Sequence, residues 1–515
     1  MSGREHARRP GNNPGPRNTY LIVAGETRHQ PLHALGESFE HFFSLRDIRI
    51  WHSLDDCDVV PVPGADADIV ALGHLYNPFS GHVGRDALQV LATCWCQGLD
   101  AFFAAASELS GRFVLLVSEA GKGLRVVPDA CASLPVAYAL DDRRLVLSSH
   151  AYFIGTMLSL PDDPTVKRLL ASRFYHLGIR HCPADLTEVD GVRLLTPNVS
   201  LRHNTDTLKL HRFYPTSQRV ERPVEEVVEA VASALCASID CLTRYERPVT
   251  CALSGGVDSR VSLAATVQHR DAIRFFTFSG DHKRNRDATC TRALARRLSL
   301  TFEDIEILRP TPEDAFRHCY LQLQGRTRAP NAGTVLFRKQ HFGTFKGFEI
   351  RSCISEIARS FMRRKFHIRR LPMTPHAMVP LYKRVPFMLS WHRLIARAFD
   401  DWSRRTEFDR VERCGFDWLD FYYWEVRVGT WQSQVLQDSD YYCSPTVIFN
   451  NRTLLNMMLS VPEPYRASDE LQRMIISRLD PAVMQLPMVK NFGRKAAIRE
   501  FLESSYLRAY MPIFG

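Results

Sequence analysis

Several features are missing from this sequence, and each absence excludes a class of protein or a kind of site. No stretch reaches the roughly 18 consecutive apolar residues that a membrane-spanning helix needs, so no membrane partner is expected. The first 18 residues are polar and rich in Gly, Pro and Arg, which excludes a secretory signal and predicts a disordered leader. The 13 Cys residues include no CxxC pair, so we expect the reduced thiols of a cytoplasmic protein rather than disulfides or a zinc site. A Walker A phosphate loop (GxxxxGKS or GxxxxGKT) is absent as well.

The composition is that of a globular protein. Of the 515 residues, 45% are hydrophobic and 24% are charged, so a sizeable core can form. This length predicts roughly two to four domains. Basic residues outnumber acidic ones by 66 to 56, which gives a net charge of +10. This charge favours anionic partners such as nucleotides, nucleic acids or acidic substrates, and it does not choose among them.

Hydrophobic patterning divides the chain into two parts. Short β-branched and aromatic runs such as Thr19–Ala24 and Arg112–Val117 follow one another, broken by one helix-like insert at Asp86–Ser107. These strand-like runs end at the polar segment Thr216–Arg222. From Val224 onwards, apolar residues recur at helical spacing. We therefore predict a leader (1–18), a β-rich α+β domain (19–215), a linker (216–224) and a second domain (225–515) in which helices dominate.

The segment Pro248–Arg260 carries the most chemical information. An apolar run, Val249–Leu253, is followed by the string SGGVDS at 254–259 and then by a helix-compatible stretch. Its two glycines would let the backbone turn tightly and bring N–H groups against a phosphate. The positive end of the following helix would point at the same place. Ser254 and Ser259 add hydroxyl donors, and Ser259 could also cap the helix.

Asp258 distinguishes two interpretations of this loop. A carboxylate beside an anion is unfavourable unless it holds Mg²⁺ that bridges to the phosphates, so the string predicts a metal-bound polyphosphate. The alternative is a Gly-Gly turn capped by Ser, in which Asp258 is merely solvated. Because the complete string follows an apolar strand, we favour binding of a nucleotide pyrophosphate.

The string SGGVDS resembles the PP-loop of the ATP pyrophosphatases, which cleave ATP to AMP and pyrophosphate in order to adenylate a substrate. Further segments, in the same order, are similar to the asparagine synthetase group of that superfamily: Gly111-Arg112-Phe113, Asp190-Gly191-Val192, Arg274–Ser279, Asp287–Leu298, Arg351–Phe361 and Leu486–Lys495. The resemblance implies an α+β N-terminal domain, an Ntn-hydrolase-like β sandwich flanked by helices. It also implies an α/β PP-loop synthetase domain with a largely helical C-terminal part.

The same resemblance implies the residues of an ATP and Mg²⁺ site. Glu356 matches the family's metal-binding acid and would hold Mg²⁺ together with Asp258. Lys495 matches the family's catalytic lysine, and Lys490 is its competitor. Contacts to the nucleotide are expected from Leu253, Ser254, Gly255, Gly256, Asp258, Ser259, Phe278, Ser279 and Ser352.

The sequence departs from the family at three places. Ser2 stands where an active glutaminase needs a Cys nucleophile, so we expect a first domain without glutaminase activity. β-Lactam-forming relatives have a Tyr at the place of Cys353, as part of a Tyr/Glu pair. Glu425 could still supply a catalytic carboxylate, or it could pair with Arg427 or another Arg. The glycines of the family's metal loop are replaced by Ser352, Cys353 and Ser355.

The segment Arg359–Arg370 is strongly basic, with five Arg and one Lys interleaved with apolar residues. Three interpretations stay open. It could be a docking patch for an acidic substrate or carrier domain, an RNA-binding surface, or the solvated face of an amphipathic helix.

We therefore predict an ATP- and Mg²⁺-dependent carbon–nitrogen ligase. It would adenylate a carboxylate and pass the acyl group to an amine, in natural product or peptide biosynthesis. Such an enzyme resembles β-lactam synthetases and lasso-peptide cyclases, which also have inactive first domains. Its partners would be small-molecule or peptide carboxylates and amines, and a precursor peptide or carrier protein could take part. Alternatives from other classes are a tRNA-modifying PP-loop enzyme and a non-catalytic nucleotide-binding subunit.

Overall fold

The computed structural model describes residues 15–25, 38–172, 175–176, 179–204, 207–280, 282–308, 310–343, 345–368, 371–383, 391–486, 488, 498, 501–502, 505 and 510. Its strands form two antiparallel sheets in the first part of the chain and one parallel sheet in the second. Within the described ranges, no helix combines the length and apolarity that crossing a membrane requires.

The two antiparallel sheets have six strands each. The strands are β1 (Tyr20–Ala24), β2 (His41–Leu45), β3 (Ile48–His52), β4 (Cys57–Pro61), β5 (Ala67–Tyr76), β6 (Ser110–Glu119), β7 (Gly123–Pro128), β8 (Ala137–Asp141), β9 (Arg144–Ser148), β10 (Arg193–Leu194), β11 (Val199–Asn204) and β12 (Thr207–Arg212). One sheet has the order β10-β8-β9-β1-β3-β2, and the other has the order β12-β11-β7-β6-β5-β4.

These sheets pack face to face and form the predicted β sandwich. Ile22 and Ile50 of the first sheet share an apolar cluster with Val70 and Leu116 of the second. Because alternate residues of a strand point to opposite faces, each sheet has a second apolar face that needs cover. Helices provide it: Arg85–Cys96 and Leu99–Ser107 pack on one sheet, and Ala151–Leu158 packs on the other.

The insert predicted as one helix at Asp86–Ser107 is two helices. The first ends at Cys96, and Gly98, with a φ of 114°, precedes the second. A left-handed backbone of this kind suits glycine and ends a helix, so Gly98 was the signal for the break.

The parallel sheet comes from the second part of the chain. Its strands are β13 (Val249–Ala252), β14 (Ile273–Ser279), β15 (Phe302–Glu306), β16 (Phe348–Ile350) and β17 (Ser444–Thr446), in the order β15-β14-β13-β16-β17. The chain proceeds from β13 to β14 on one side and later returns to β16 on the other side. Loops at the carboxyl ends of two such strands diverge and leave a crevice, which is where open α/β sheets bind ligands.

Helices dominate the remainder, as the sequence predicts. The α-helices outside the sandwich's two faces are Pro164–Ala171, Val224–Thr243, Val257–Ala265, His282–Arg297, Asp314–Gln324, Ala332–Phe342, Phe361–Phe366, Pro375–Tyr382, His392–Arg405, Arg410–Arg413, Trp418–Tyr422, Ser433–Ser439, Arg452–Ser460, Glu463–Ala467 and Glu470–Leu479. Single-turn 3-10 segments lie at Arg270–Ala272, Ala329–Asn331, Ser355–Arg359 and Pro481–Met484, and Tyr423–Gln432 is a π-helix.

The helix Val224–Thr243 confirms the periodicity that begins at Val224, since Val227, Val231 and Leu235 are buried. The segment before it, predicted as a linker, is bound to the second part of the chain. Arg219 Nε donates to the Leu459 carbonyl at 2.9 Å.

The sandwich meets the parallel-sheet region through buried polar pairs. The Arg112 guanidinium donates two hydrogen bonds to Asp440, at 2.5 and 2.8 Å, and both side chains are buried. Asn18 Nδ2 donates to the same carboxylate at 2.8 Å, and Arg17 N–H donates to the Asp440 carbonyl at 2.8 Å. The prediction of a disordered leader is therefore wrong for residues 17 and 18, because the interface binds both of them and buries Asn18. Residues 1–14 lie outside the described residues.

Candidate active site

The SGGVDS loop joins the carboxyl end of β13 to the helix Val257–Ala265, as the sequence predicts. Ser254 N–H donates to Ser259 Oγ at 2.8 Å, and Gly255 N–H donates to Asp287 Oδ1 at 3.2 Å. Ser259 therefore closes the loop rather than capping the helix, whose N-cap residue has no side-chain cap. The first-turn N–H groups of a helix lack intrahelical partners and carry partial positive charge towards such a loop.

Gly256 leaves the loop open to a ligand. Its backbone, with φ −86° and ψ 167°, is one that other residues also adopt, so the turn does not itself require glycine here. A Cβ at this position would meet only Ser254 Oγ, 3.7 Å away, within van der Waals distance. Neither the turn nor the packing requires glycine at this position, and the open space would allow an anion to approach the backbone closely.

Asp258, in the first turn of that helix, is held by two donors. Ser355 Oγ–H donates to Oδ1, and Arg359 Nη1 donates to Oδ2 at 2.5 Å. Arg359 Nε also donates to Asp469 Oδ1 at 2.8 Å. Arg364 Nη1 donates to the same Asp469 oxygen at 2.5 Å. One guanidinium therefore connects the loop carboxylate to the start of the helix Glu470–Leu479.

Glu356 lies on the 3-10 turn next to Asp258. Burial raises the pKa of Glu356 to about 7, and the negative charge of Asp258 acts in the same direction. Glu356 Oε2 has no hydrogen-bond partner among the described residues. An orphaned carboxylate oxygen close to a second carboxylate fits a cation ligand.

Asp258 and Glu356 are suited to Mg²⁺ in particular. Mg²⁺ is commonly held by one or two carboxylates, with substrate phosphates and water completing the shell. The described part of the chain contains no group of three or more His, Cys, Asp or Glu side chains that could hold a metal alone. A nucleotide would therefore have to supply the remaining ligands.

The segment that replaces the family's glycines has an unusual backbone. Ile354 has φ 79° and ψ −37°, a conformation that costs a β-branched residue about 1–3 kcal/mol. Its side chain is 1% exposed, so packing holds it in place. Residues in such conformations cluster at ligand sites.

The π-helix Tyr423–Gln432 contributes side chains beside Glu356. Burial and the charge of Glu356 raise the pKa of Tyr423, and the positive charge of Arg427 opposes the rise at Glu356. Arg427 stacks on the Trp431 ring at 3.8 Å. Insertions of π-helix are frequent at functional sites, and this one places an aromatic and a cationic side chain next to the two carboxylates.

Glu425, on the same π-helix, belongs to the interface and not to the site. Arg212 Nη1 and Nη2 donate to its two oxygens at 2.6 and 2.8 Å, and Asn198 Nδ2 donates at 3.0 Å. Both side chains of the ion pair are 0% exposed. The predicted catalytic role is wrong, because buried donors of the sandwich take both oxygens. The alternative of an ion pair with an Arg holds, with Arg212 rather than Arg427 as the partner.

The other predicted nucleotide contacts lie near the carboxyl ends of the parallel strands or beside the helix that follows the SGGVDS loop. Leu253 directly follows β13, and its N–H donates to the Phe276 carbonyl at 2.7 Å. Phe278 and Ser279 end the neighbouring β14, and Arg338 covers the Phe278 ring at 4.3 Å. Ser352 Oγ–H donates to Ser262 Oγ at 2.9 Å, beside the PP-loop helix. The structure brings these residues together, and their contacts to a nucleotide stay predictions.

Lys490 and Lys495 lie outside the described residues, so the catalytic lysine stays a prediction. The chain that leads to them is bound to the PP-loop helix. Arg260 Nη1 donates to the carbonyls of Val483, at 3.0 Å, and of Leu486, at 2.5 Å. Leu486 begins the segment that the sequence expects to deliver the lysine.

The described part of the basic segment is paired with carboxylates. Arg359 contacts Asp258 and Asp469, Arg364 contacts Asp469, and Arg363 contacts Asp417. Arginines that are paired with carboxylates of the same chain are less available to an outside partner. The ion pairs therefore argue against the interpretations of the basic segment as a docking patch or as an RNA-binding surface. Sequence reasoning did not place Arg359 or Asp469 in the site, because no local pattern links residues so far apart.

One comparison bears on this site directly. Residues 230–324 match the model of the asparagine synthase family. This part of the chain is therefore similar to an asparagine synthase domain. This stretch includes β13, the SGGVDS loop and β14, so the match falls on the residues that form the crevice. The match supports an ATP-dependent ligase. No curated protein sequence matches the chain.

Solved structures are similar only at low identity. NMN synthetase from Francisella tularensis is 14% identical over 53% of this chain and 100% of its own, with a TM-score of 0.21. A glutamine phosphoribosylpyrophosphate amidotransferase from B. subtilis is 12% identical over 68% and 72%, with a TM-score of 0.24. Glutamine-dependent NAD+ synthetase from Acinetobacter baumannii is 14% identical over 53% and 66%, with a TM-score of 0.19. TM-scores this low carry no argument about function.

Proposed function

We propose that this protein is an AMP-forming ligase that adenylates a carboxylate and couples the acyl group to an amine. One observation carries the proposal. In a domain of the asparagine synthase type, the SGGVDS loop lies at the carboxyl end of β13 with Asp258 and Glu356 next to each other. A helix N-terminus combined with two carboxylates suits a metal-bound pyrophosphate leaving group.

In the first half of the reaction, a substrate carboxylate oxygen attacks the α-phosphorus of ATP, and the bond to the pyrophosphate oxygen breaks. Charge then develops on the pyrophosphate, where N–H groups of the first helical turn would donate hydrogen bonds. Such fixed donors stabilise developing charge at no cost of reorganisation. Mg²⁺ held by Asp258 and Glu356 would neutralise further charge.

In the second half, the amine nitrogen attacks the carbonyl carbon of the acyl-adenylate and expels AMP. Negative charge grows on the carbonyl oxygen and on the α-phosphate. A fixed ammonium beside both groups, which we assign to Lys495, would stabilise this transition state more than the ground state. Binding of Leu486 to Arg260 supports the assignment, because it directs the C-terminal segment to the PP-loop helix.

We further propose that the Ntn-hydrolase-like sandwich is a scaffold without glutaminase activity. Ser2 replaces the Cys nucleophile. Two buried ion pairs, Arg112–Asp440 and Arg212–Glu425, fasten the sandwich to the synthetase part. An enzyme of this design would use an amine of a substrate rather than ammonia from glutamine, as in the β-lactam synthetase and lasso-peptide cyclase type.

A non-catalytic nucleotide-binding subunit is the second candidate. One contact favours it: the Arg359 guanidinium occupies Asp258 Oδ2, an oxygen that a metal would need. A tRNA-modifying enzyme has less support, because the described arginines of the basic segment are paired with carboxylates.

An ATP–pyrophosphate exchange assay tests the proposal. The full-length protein is incubated with Mg²⁺, ATP, labelled pyrophosphate and one pool of carboxylic acids at a time. Acid-dependent incorporation of label into ATP is expected. Nucleotide binding with no exchange in any pool would support the non-catalytic candidate instead.

A further inference from the structure

Arg359 holds an uncommon position, between the PP-loop and the C-terminal helices. Its side chain is 9% exposed. Nη1 donates to Asp258 Oδ2 at 2.5 Å, and Nε donates to Asp469 Oδ1 at 2.8 Å. A guanidinium fixed by two carboxylates keeps a single orientation, because both bonds are charge-assisted.

The guanidinium has donors to spare. It carries five N–H groups, and the two hydrogen bonds to Asp258 and Asp469 use two of them. Both hydrogen bonds come from Nη1 and Nε, and neither uses Nη2. The planar fork of Arg matches phosphate oxygens, and it is the side chain best suited to bind them in pairs.

The charges around Arg359 give its guanidinium two opposing effects, one on a metal ion and one on a phosphate. Asp258, Asp469 and Glu356 are the carboxylates that face it, and Arg364 and Arg427 are the nearby cations. A guanidinium on Asp258 opposes a divalent cation on the same carboxylate. It also brings a positive charge next to Asp258, in the first turn of the helix that follows the SGGVDS loop.

We infer that Arg359 binds the pyrophosphate: it is fixed by Asp258 and Asp469 and donates its remaining N–H groups to the departing group. This inference rests on the proposed function. When the bond between the α-phosphorus and the bridging oxygen breaks, the electron pair leaves with pyrophosphate. Arg359 stabilises that charge by hydrogen bonding and transfers no proton. The same guanidinium weakens Mg²⁺ binding at Asp258, so its removal affects metal affinity and turnover in opposite directions.

The test compares Arg359→Gln, Arg359→Lys and the control Arg363→Gln, which removes an arginine of the same basic segment that pairs with Asp417. Binding of α,β-methylene-ATP is measured by calorimetry while MgCl₂ is varied, and ATP–pyrophosphate exchange is measured in parallel. The MgCl₂ midpoint is the MgCl₂ concentration at which analogue binding is half-maximal. For Arg359→Gln we expect this midpoint to fall about fivefold. We expect its exchange rate to fall about 10²-fold. Arg359→Lys should recover part of the exchange, and Arg363→Gln should change neither value by more than about twofold.

A structural role for Arg359 predicts a different pattern. If Arg359→Gln weakens Mg²⁺ and analogue binding together, and Arg359→Lys recovers no exchange, the inference is overturned. Unchanged exchange in Arg359→Gln overturns it as well. If the wild type catalyses no exchange at all, the proposed function fails, and the MgCl₂ midpoint alone decides: a midpoint that does not fall in Arg359→Gln refutes the effect on the metal.

Discussion

Two clusters of buried charge in this molecule differ in how completely they are paired. At the interface, Arg112 and Asn18 donate to Asp440, and Arg212 and Asn198 donate to Glu425, so each carboxylate oxygen has a donor. At the PP-loop, Glu356 Oε2 has no partner within the described chain, although burial raises the pKa of Glu356.

The difference indicates what each cluster is for. Buried polar groups are nearly always hydrogen-bonded, so a complete set of partners marks a finished structural contact. An incomplete set leaves room for a ligand to supply the missing partner. The interface contacts therefore hold the two parts of the chain together, and the cluster at the SGGVDS loop is the one that we propose binds a metal-bound nucleotide. The predictions below test this contrast.

The largest effect is expected for Asp258→Ala. This change removes the loop carboxylate that would hold Mg²⁺ against the leaving group, so ATP–pyrophosphate exchange should fall by at least about 10³-fold. Glu356→Ala should act in the same direction. The control is Asp409→Ala, which breaks an exposed ion pair with Arg413. Exchange that is unchanged in Glu356→Ala would show that this residue is not the metal-binding acid.

The interface cluster should respond in stability rather than in chemistry. Glu425→Gln leaves the buried Arg212 guanidinium without its charge partner, and such changes cost about 3–5 kcal/mol of unfolding free energy. Urea unfolding followed by circular dichroism measures the loss. Glu229→Gln, which breaks an exposed pair with Arg478, should leave the unfolding midpoint unchanged. A Glu425→Gln protein with wild-type stability and no activity would restore the catalytic role that the structure argues against.

The next largest effect is expected for the lysine that we assign to catalysis. Lys495→Met should fold and bind ATP, and amide formation should fall by about 10²–10³-fold, with adenylate formation affected less, because the ammonium acts mainly on the second transition state. Product formation is measured by mass spectrometry, with Lys490→Met as the matched variant. Loss of product in Lys490→Met alone would move the assignment five residues along the chain.

Acid should weaken the interface by a smaller amount. Burial lowers the pKa of His74 and of His150 to about 3. His74 Nε2 lies 3.0 Å from Thr446 Oγ1, and His150 Nε2 lies 3.2 Å from Gln437 Nε2, so both contact the synthetase part.

The sign of this effect follows from the two pKa values of each histidine. The unfolded chain, with a pKa near 6.5, binds more protons than the folded one between about pH 3 and 6.5, so stability rises with pH through this window. Changing the pH from 7.5 to 5 should cost about 2 kcal/mol per histidine. His74→Gln should flatten the pH dependence of urea unfolding, and the exposed His82→Gln should not. Equal slopes in all three proteins would contradict this explanation.

No glutaminase activity is expected, because Ser2 replaces Cys. Release of glutamate from glutamine, measured with and without ATP, should not exceed background. Turnover that disappears in Ser2→Ala would contradict the proposed scaffold role of the sandwich.

Sequence patterns predicted those parts of the site that are local in the chain. The strand, loop and helix at 249–265 follow from adjacent residues, and the β-rich first part follows from short β-branched and aromatic runs. The sandwich itself was implied by the resemblance to a family and not by the local pattern. The contacts of Asp258 with Arg359 and of Glu425 with Arg212 could not be predicted in this way. Each joins residues more than 100 positions apart, and a lone Arg has the same local signature whether it is solvated or ion-paired.

The products formed from ATP show most directly whether the protein is an AMP-forming ligase. Full-length protein is incubated with Mg²⁺, ATP labelled in its α-phosphate, and pools of carboxylic acids and amines, and the nucleotides are separated. We expect acid-dependent formation of labelled AMP with release of pyrophosphate, both lost in Asp258→Ala. Label that appears in ADP, or AMP formation that persists in Asp258→Ala, would contradict it.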